Sequence, residues 1–213
     1  KRYTLIFNGE IYNQAALRKA LPQHSYRGHS DTETITHALD VWGIQKTIEQ
    51  LDGMFALAIY DSMQNELTLA RDFAGIKPLF YGQEHGQIVF GSQYDQVRSH
   101  PLFRDKRIDP QVLKLYLKQH FMPAPFGLHE GMFQLHPGEM IVFKTNGESK
   151  KTRYWELPSV LSTDLITDEK EAQRVFSETF SKSITDQLMS DVPLGAFLSG
   201  GVDSPLVCAY AKE

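Results

Sequence analysis

Near the C-terminal end, Phe197-Leu198-Ser199-Gly200-Gly201-Val202-Asp203-Ser204 places two hydroxyls, two adjacent glycines and a carboxylate in front of Leu206, Val207, Ala209 and Tyr210. The apolar run, the glycines and the helical spacing after them predict strand, loop and helix in that order. Such a loop aims several backbone N–H groups at one point, and the helix dipole adds partial positive charge there. A phosphate or pyrophosphate fits. The Gly-Lys-Ser/Thr of a Walker loop is absent, so no lysine waits for a terminal phosphate. The backbone amides and the hydroxyls of Ser199 and Ser204 suit a pyrophosphate instead. Asp203 suits Mg²⁺, which prefers hard oxygen ligands. That combination fits adenylation, with pyrophosphate leaving, better than γ-phosphoryl transfer. The bland alternative is a glycine-rich turn after a buried strand.

A second group lies at the other end, in Asn8-Gly9-Glu10-Ile11-Tyr12-Asn13. The Asn8 carboxamide beside the Gly9 N–H suits an oxyanion hole. Glu10 would then lie where a substrate ammonium is held. Asp31, in Ser30-Asp31-Thr32-Glu33, offers a second carboxylate for the same ammonium. Read alone, Asn8-Gly9 is a hairpin turn and Ser30-Asp31 a helix cap. Arg71-Asp72, before Gly75-Ile76-Lys77-Pro78-Leu79, reads as a structural ion pair at a strand end. The eight histidines show no metal spacing and read as surface or capping residues. Cys208, on the helix after the glycine loop, reads as a small buried hydrophobe.

These groups need positioning elements. Residues 3–7 are β-prone and end at the Asn-Gly signal. A short helix is predicted over 12–21, and a second after the Ser30 or Asp31 cap, with Ile35, Ala38, Leu39 and Val41 on one face. Residues 54–60 read as a buried strand, with 66–71 as its hairpin partner. Two more strands are predicted over 79–82 and 87–91, around a glycine-containing turn. Asp109-Pro110 caps a helix whose apolar face is Val112, Leu113, Tyr116 and Leu117. Residues 121–138 are turn-rich, and 139–144 form a strand closed by Asn146-Gly147. Residues 159–167 read as a linker. An amphipathic helix is predicted over 168–189, with Ala172, Val175, Phe176, Thr179, Phe180, Ile184 and Leu188 buried.

The whole is an α+β domain joined to the start of an α/β domain. Its 213 residues are 41% hydrophobic, enough for a sizeable core. A net charge of −4 argues against a nucleic-acid partner. One cysteine points to a reducing, cytoplasmic setting. No stretch approaches the ~18 apolar residues of a membrane span, so no membrane partner is expected. The opening Lys1-Arg2-Tyr3-Thr4-Leu5-Ile6-Phe7 reads as a strand already begun, so further N-terminal sequence is expected.

Taken together, the motifs resemble one family. Asn8 to Asn13, Ser30 to Glu33, Leu51 to Ala56, Arg71-Asp72 with Gly75 to Leu79, Leu135 to Gly138, and Ser190 to Pro193 followed by Ser199 to Ser204 occur in this order in glutamine-hydrolysing asparagine synthetases. The resemblance implies a four-layer αββα sandwich of the N-terminal-nucleophile type over 1–158. It also implies the start of an ATP-pyrophosphatase domain over 168–213. Aspartate would be adenylated with ATP and Mg²⁺, and ammonia from glutamine would attack the β-aspartyl-AMP. In that family the positions of Asn8 and Gly9 form the oxyanion hole, and those of Glu10 and Asp31 bind the glutamine α-amino group. Leu198, Ser199, Gly200, Gly201, Val202, Asp203 and Ser204 match the nucleotide loop. The family's nucleophile is a cysteine at the mature N-terminus, where residue 1 here is Lys1, and its carboxylate-gripping arginine lies upstream of the positions matched. Pro205 replaces a second serine. The chain by itself is therefore expected neither to hydrolyse glutamine nor to make asparagine, and exposed sandwich faces predict a homodimer. The alternatives are a β-lactam synthetase-like ligase acting on another acid and a non-catalytic glutaminase-like binding module.

Overall fold

Alternating apolar residues along Tyr3–Ile11 form β1, and its inward side chains meet three helices, α1 (Gln14–Ala20), α2 (Asp31–Trp42) and α3 (Ile44–Gln50). This is a computed structural model, and it describes residues 2–158, 165–190 and 192–212. The chain divides into two units, Lys1–Glu156 and Leu157–Glu213. Most of the expected linker, residues 159–164, lies outside the described residues.

In the first unit β2 (Gly53–Asp61) and β3 (Glu66–Arg71) form the expected hairpin. β4 (Phe80–Glu84) and β5 (Gln87–Gly91) form a second one. Then come α4 (Tyr94–Arg98), α5 (Pro110–Gln119), β6 (Met132–Gln134), β7 (Glu139–Lys144) and β8 (Ser149–Arg153). The strands make a five-stranded sheet, β1-β2-β3-β7-β8, and a three-stranded sheet, β5-β4-β6.

Three apolar clusters fill the spaces between layers. Ile11, Leu17, Ile35, Leu39, Ile48, Phe55, Leu57 and Ile59 lie between α1–α3 and the larger sheet. Ala56, Ala58, Leu69, Leu79, Tyr81, Leu135, Ile141 and Phe143 lie between the sheets. Val97, Phe103 and Met132 lie under α4, with Phe80 and Val89. Ala56, Leu57 and Ala58 show the period-2 alternation that puts neighbouring residues on opposite faces. The layers are helix, sheet, sheet and helix, the αββα sandwich the resemblance implied.

Several sequence readings change. β1 does not turn at Asn8-Gly9 but runs on beside β2, with Asn8 opposite Ala56 and Gly9 opposite Phe55. β8 carries no apolar signal because Ser149, Lys150, Lys151, Thr152 and Arg153 form a charged sheet edge, which blocks pairing with another chain. α3, α4 and β6 have 7, 5 and 3 residues, too short to show a period. On α5, Val112 is buried while Tyr116 and Leu117 are 43% and 64% exposed.

The second unit contains α6 (Glu169–Gln187), capped by Asp168 accepting the Glu171 N–H at 2.8 Å, and α7 (Asp203–Lys212). Its stripe is not buried. Ala172, Val175, Phe180 and Ile184 are half-buried, and Phe176 and Leu188 are exposed, because α7 covers one side only. Phe180 meets Tyr210 edge-on at 5.2 Å, and the Tyr210 hydroxyl donates to Ser177 Oγ at 3.1 Å. Among the described residues the strand expected before Ser199 is absent. Leu194 and Phe197 are exposed there, and among the described residues of this unit no other strand offers a ladder to pair with. Among the described residues no helix is long and apolar enough to cross a membrane.

Candidate functional site

The backbone of β1 decides what its end can bind. Among the described residues β1 is an edge strand. The Tyr12 N–H donates to Asp52 O at 2.8 Å and the Ser62 N–H to Arg2 O at 3.0 Å. Even-numbered backbone groups of β1 therefore face β2, and odd-numbered ones face the open edge. The partner strand agrees. Phe55 gives its N–H to Asp72 Oδ2 at 3.1 Å and accepts the Asp72 N–H at 2.9 Å, so both its groups face away from β1. Gly9 and Phe55 are thus a narrow non-bonded pair, and the Gly9 N–H points out of the sheet edge. A Cβ on Gly9 would lie 2.0 Å from Met54 O, so close approach of two backbones, not a turn, demands glycine there.

Two residues on, the next outward amide is already engaged. The Ile11 N–H donates to Asp31 Oδ2 at 2.9 Å, and Gln14 Nε2 donates to Asp31 Oδ1 at 2.8 Å. Ser30, not Asp31, caps α2, its Oγ accepting the Thr32 N–H at 3.2 Å. That leaves Asp31 free to reach the strand. The outward Gly9 N–H and the one held by Asp31 are about 6.8 Å apart by strand rise. Burial raises the Asp31 carboxyl above the ordinary carboxylate range, against the pull of Ile11, Arg18 and Gln14. Its folded value lies above its unfolded one. Asp31 therefore favours the fold while protonated and loses that contribution as pH rises through the raised value.

Glu10 is half-buried at the same strand end. The Tyr12 hydroxyl is raised by burial, then by the charges of Glu10, Asp72 and Asp52. Asn8 projects from the face opposite the helices. Its Nδ2 donates to Ser92 Oγ at 2.8 Å, at the rim of a cavity of about 370 Å³ lined by Ile6, Ala58, Leu79 and Phe90. The fold thus brings Asn8, Gly9, Glu10 and Asp31 to one end of one strand.

Arg71 and Asp72 buttress that end from behind, and not as a weak surface ion pair. Both are buried. Arg71 donates to the carbonyls of Lys77, Leu135 and Gly75 at 2.8, 2.8 and 2.7 Å. Asp72 accepts the N–H groups of Ile76 and Lys77 at 2.8 and 2.9 Å, besides that of Phe55. The Tyr154 hydroxyl, raised well above its usual range by burial and then by Asp72, donates to Arg71 O at 2.6 Å.

One histidine departs from the surface reading. His129 is 8% exposed; its Nδ1 meets the Tyr94 hydroxyl at 2.7 Å, and its Nε2 accepts from Arg98 Nε at 3.2 Å. Burial, then the Arg98 charge, holds its imidazole below the ordinary range. Spacing offered no signal for this cluster, because α4 and the loop after α5 meet only in the fold.

In the second unit the glycine turn folds around its own hydroxyls. The Ser199 N–H donates to Ser204 Oγ at 3.0 Å, the two Oγ atoms lie 2.7 Å apart, and the Gly201 N–H donates to Ser199 Oγ at 3.3 Å. Nothing lies within 4 Å of a Cβ built on Gly200, so the backbone there is open to a ligand. Leu198 and Val202 are exposed on either side. Asp203 opens α7, and Cys208 is half-buried, less enclosed than expected because among the described residues only α6 packs on this helix. Among the described residues no group of three or more His, Cys, Asp or Glu could hold a metal.

Comparison with known proteins follows the same division. Residues 1–155 match the glutamine amidotransferase domain family, and residues 175–213 match the asparagine synthase family. The chain is 35% identical to glutamine-hydrolysing asparagine synthetase 3 of Bacillus subtilis, over 98% of the chain and 34% of the relative. It is 31% identical to asparagine synthetase 1 of the same organism, over 99% of the chain and 33% of the relative. The chain therefore spans about a third of the length of these relatives. Among solved structures, the glutamine phosphoribosylpyrophosphate amidotransferase of B. subtilis aligns over 99% of the chain and 44% of its own length. It has 17% identity and a TM-score of 0.50, a likeness of fold.

Proposed function

Because the chain belongs to the glutamine amidotransferase family, we propose that its first unit binds glutamine and polarises the side-chain amide, and that the whole protein passes the ammonia to an adenylated aspartate, making asparagine. One observation carries the first half: an outward Gly9 N–H and a carboxylate, Asp31, one two-residue step along the same edge. That step is about 6.8 Å by strand rise, the scale of a glutamine side chain. Asn8 and Gly9 receive the developing oxyanion, and Glu10 and Asp31 hold the ammonium. None of the four is the nucleophile, which the resemblance places on a cysteine.

The second half rests on the glycine turn and on the match of residues 175–213. The open backbone at Gly200, beside a Gly201 N–H that donates to Ser199 Oγ, fits a pyrophosphate together with the Ser199 and Ser204 hydroxyls. Leu198 and Val202 flank it. A carboxylate beside a phosphate repels it unless a cation intervenes. Asp203 is therefore the residue we assign to Mg²⁺, with phosphate oxygens and water completing the shell. ATP supplies the activating adenylyl group. The proposed domains are 1–158 for glutamine and 168–213 for the start of the nucleotide domain. The proposed setting is the cytoplasm.

The test uses the full-length protein with aspartate, MgATP and either glutamine or ammonia. Asparagine, AMP and pyrophosphate are expected in equal amounts. Asp31→Asn is expected to raise the KM for glutamine about 30-fold, the loss of one charge-assisted bond, while ammonia-dependent synthesis is unchanged. Wild-type affinity for glutamine should fall on acidification from above the ordinary carboxylate range, since burial raises Asp31, and Asp31→Asn should flatten that profile. ADP as product, or an equal loss with ammonia, would refute the proposal.

A further inference from the structure

Asn8 is solvent-exposed, so packing does not hold its carboxamide in place. The torsion that turns a carboxamide is broad and nearly two-fold. Its nitrogen end would stabilise an anion, and its oxygen end would repel one. Something other than packing must therefore fix it. The residue in contact is Ser92, whose Oγ accepts from Asn8 Nδ2 at 2.8 Å. Ser92 follows β5, in the three-stranded sheet, whereas Asn8 lies on β1, in the five-stranded one. The bond therefore ties the two sheets at the cavity rim.

We propose that Ser92 is a positioning residue for glutamine hydrolysis: it takes one Nδ2 hydrogen of Asn8 and leaves the second aimed at the oxyanion. This rests on the assignment of Asn8 to the oxyanion hole. An anchored donor needs no reorganisation as charge develops, and that saving is realised in the transition state. Losing Ser92 should therefore lower kcat and leave KM nearly unchanged.

The test measures glutamine hydrolysis by the full-length protein. Ser92→Ala is expected to lower kcat about 10-fold, less than the ~100-fold for loss of a whole oxyanion donor in Asn8→Ala. KM and the thermal midpoint should stay near wild type. Ser92→Thr keeps the hydroxyl and should restore most of the rate. The double variant should be no slower than Asn8→Ala, because Ser92 acts only through Asn8. In amide NMR spectra Ser92→Ala should shift the Asn8 side-chain pair. If Asn8→Ala slows hydrolysis but Ser92→Ala does not, or if the two losses multiply, the Ser92 inference falls alone. If Asn8→Ala has no effect, the oxyanion assignment falls with it.

Discussion

In the full-length protein, Gly9→Ala should unfold the first unit about 10 °C earlier and remove measurable glutamine hydrolysis from whatever remains folded. The Cβ would sit 2.0 Å from Met54 O and 2.8 Å from Phe55 Cα, both main-chain atoms with no rotamer to escape into. The approach is mutual, since a Cβ on Gly53 would lie 2.2 Å from Glu10 O. β1 and β2 must part to admit the methyl. Widening a narrow pair, about 4.5 Å between Cα atoms, disturbs bonded pairs on both sides. Overpacking against a fixed backbone costs about 3 kcal/mol, which for a unit of this size is roughly 10 °C. The rate loss has a separate cause. The Gly9 N–H is the proposed oxyanion donor, and moving β1 by a fraction of an ångström misaims it. Thermal unfolding and glutaminase assays on one preparation separate the two effects. A wild-type midpoint would show that the strands separate freely at Gly9.

The sequence was most legible where a signal is local. Asp109 before Pro110 caps α5, its carboxylate taking the Gln111 and Val112 N–H groups at 2.8 and 3.3 Å. The β2–β3 and β4–β5 hairpins follow from apolar runs broken by polar turns. It was least legible where a distant segment sets the requirement. Asn8-Gly9 has the composition of a turn, but the glycine answers to Met54 on another strand. Ser30 and Asp31 both look like caps, and only the nearness of Ile11 shows that one caps and the other binds the strand. Arg71 and Asp72 look like an ion pair because they are adjacent, yet adjacent strand residues point to opposite faces. Their partners are backbone groups of the following loop, of Leu135 and of Phe55 on β2. β8 hides because an edge strand is protected by charge. Ser92 has no signal in sequence, since its partner lies 84 residues away.

Asp72→Ala should be the most destabilising side-chain truncation at this site, about 4 kcal/mol. Three N–H donors, from Phe55, Ile76 and Lys77, end on one carboxylate that is 0% exposed. Each unmet donor costs about 1–3 kcal/mol, and water entering the loop after β3 recovers part of the sum. A further cost falls on Arg71, whose guanidinium is pushed down by burial and supported by the Asp72 charge. Asp72→Asn keeps one acceptor oxygen and should cost about half as much. Urea unfolding with an unchanged m-value would read these as stability changes rather than altered compactness. The loss also reaches the proposed chemistry, because the freed Phe55 N–H belongs to the residue opposite Gly9. At a temperature where the variant is still folded, kcat for glutamine should fall while ammonia-dependent synthesis does not. If Asp72→Ala were as stable as wild type, the three amides would have other partners, and the rigid backing attributed to β2 behind Gly9 would not exist.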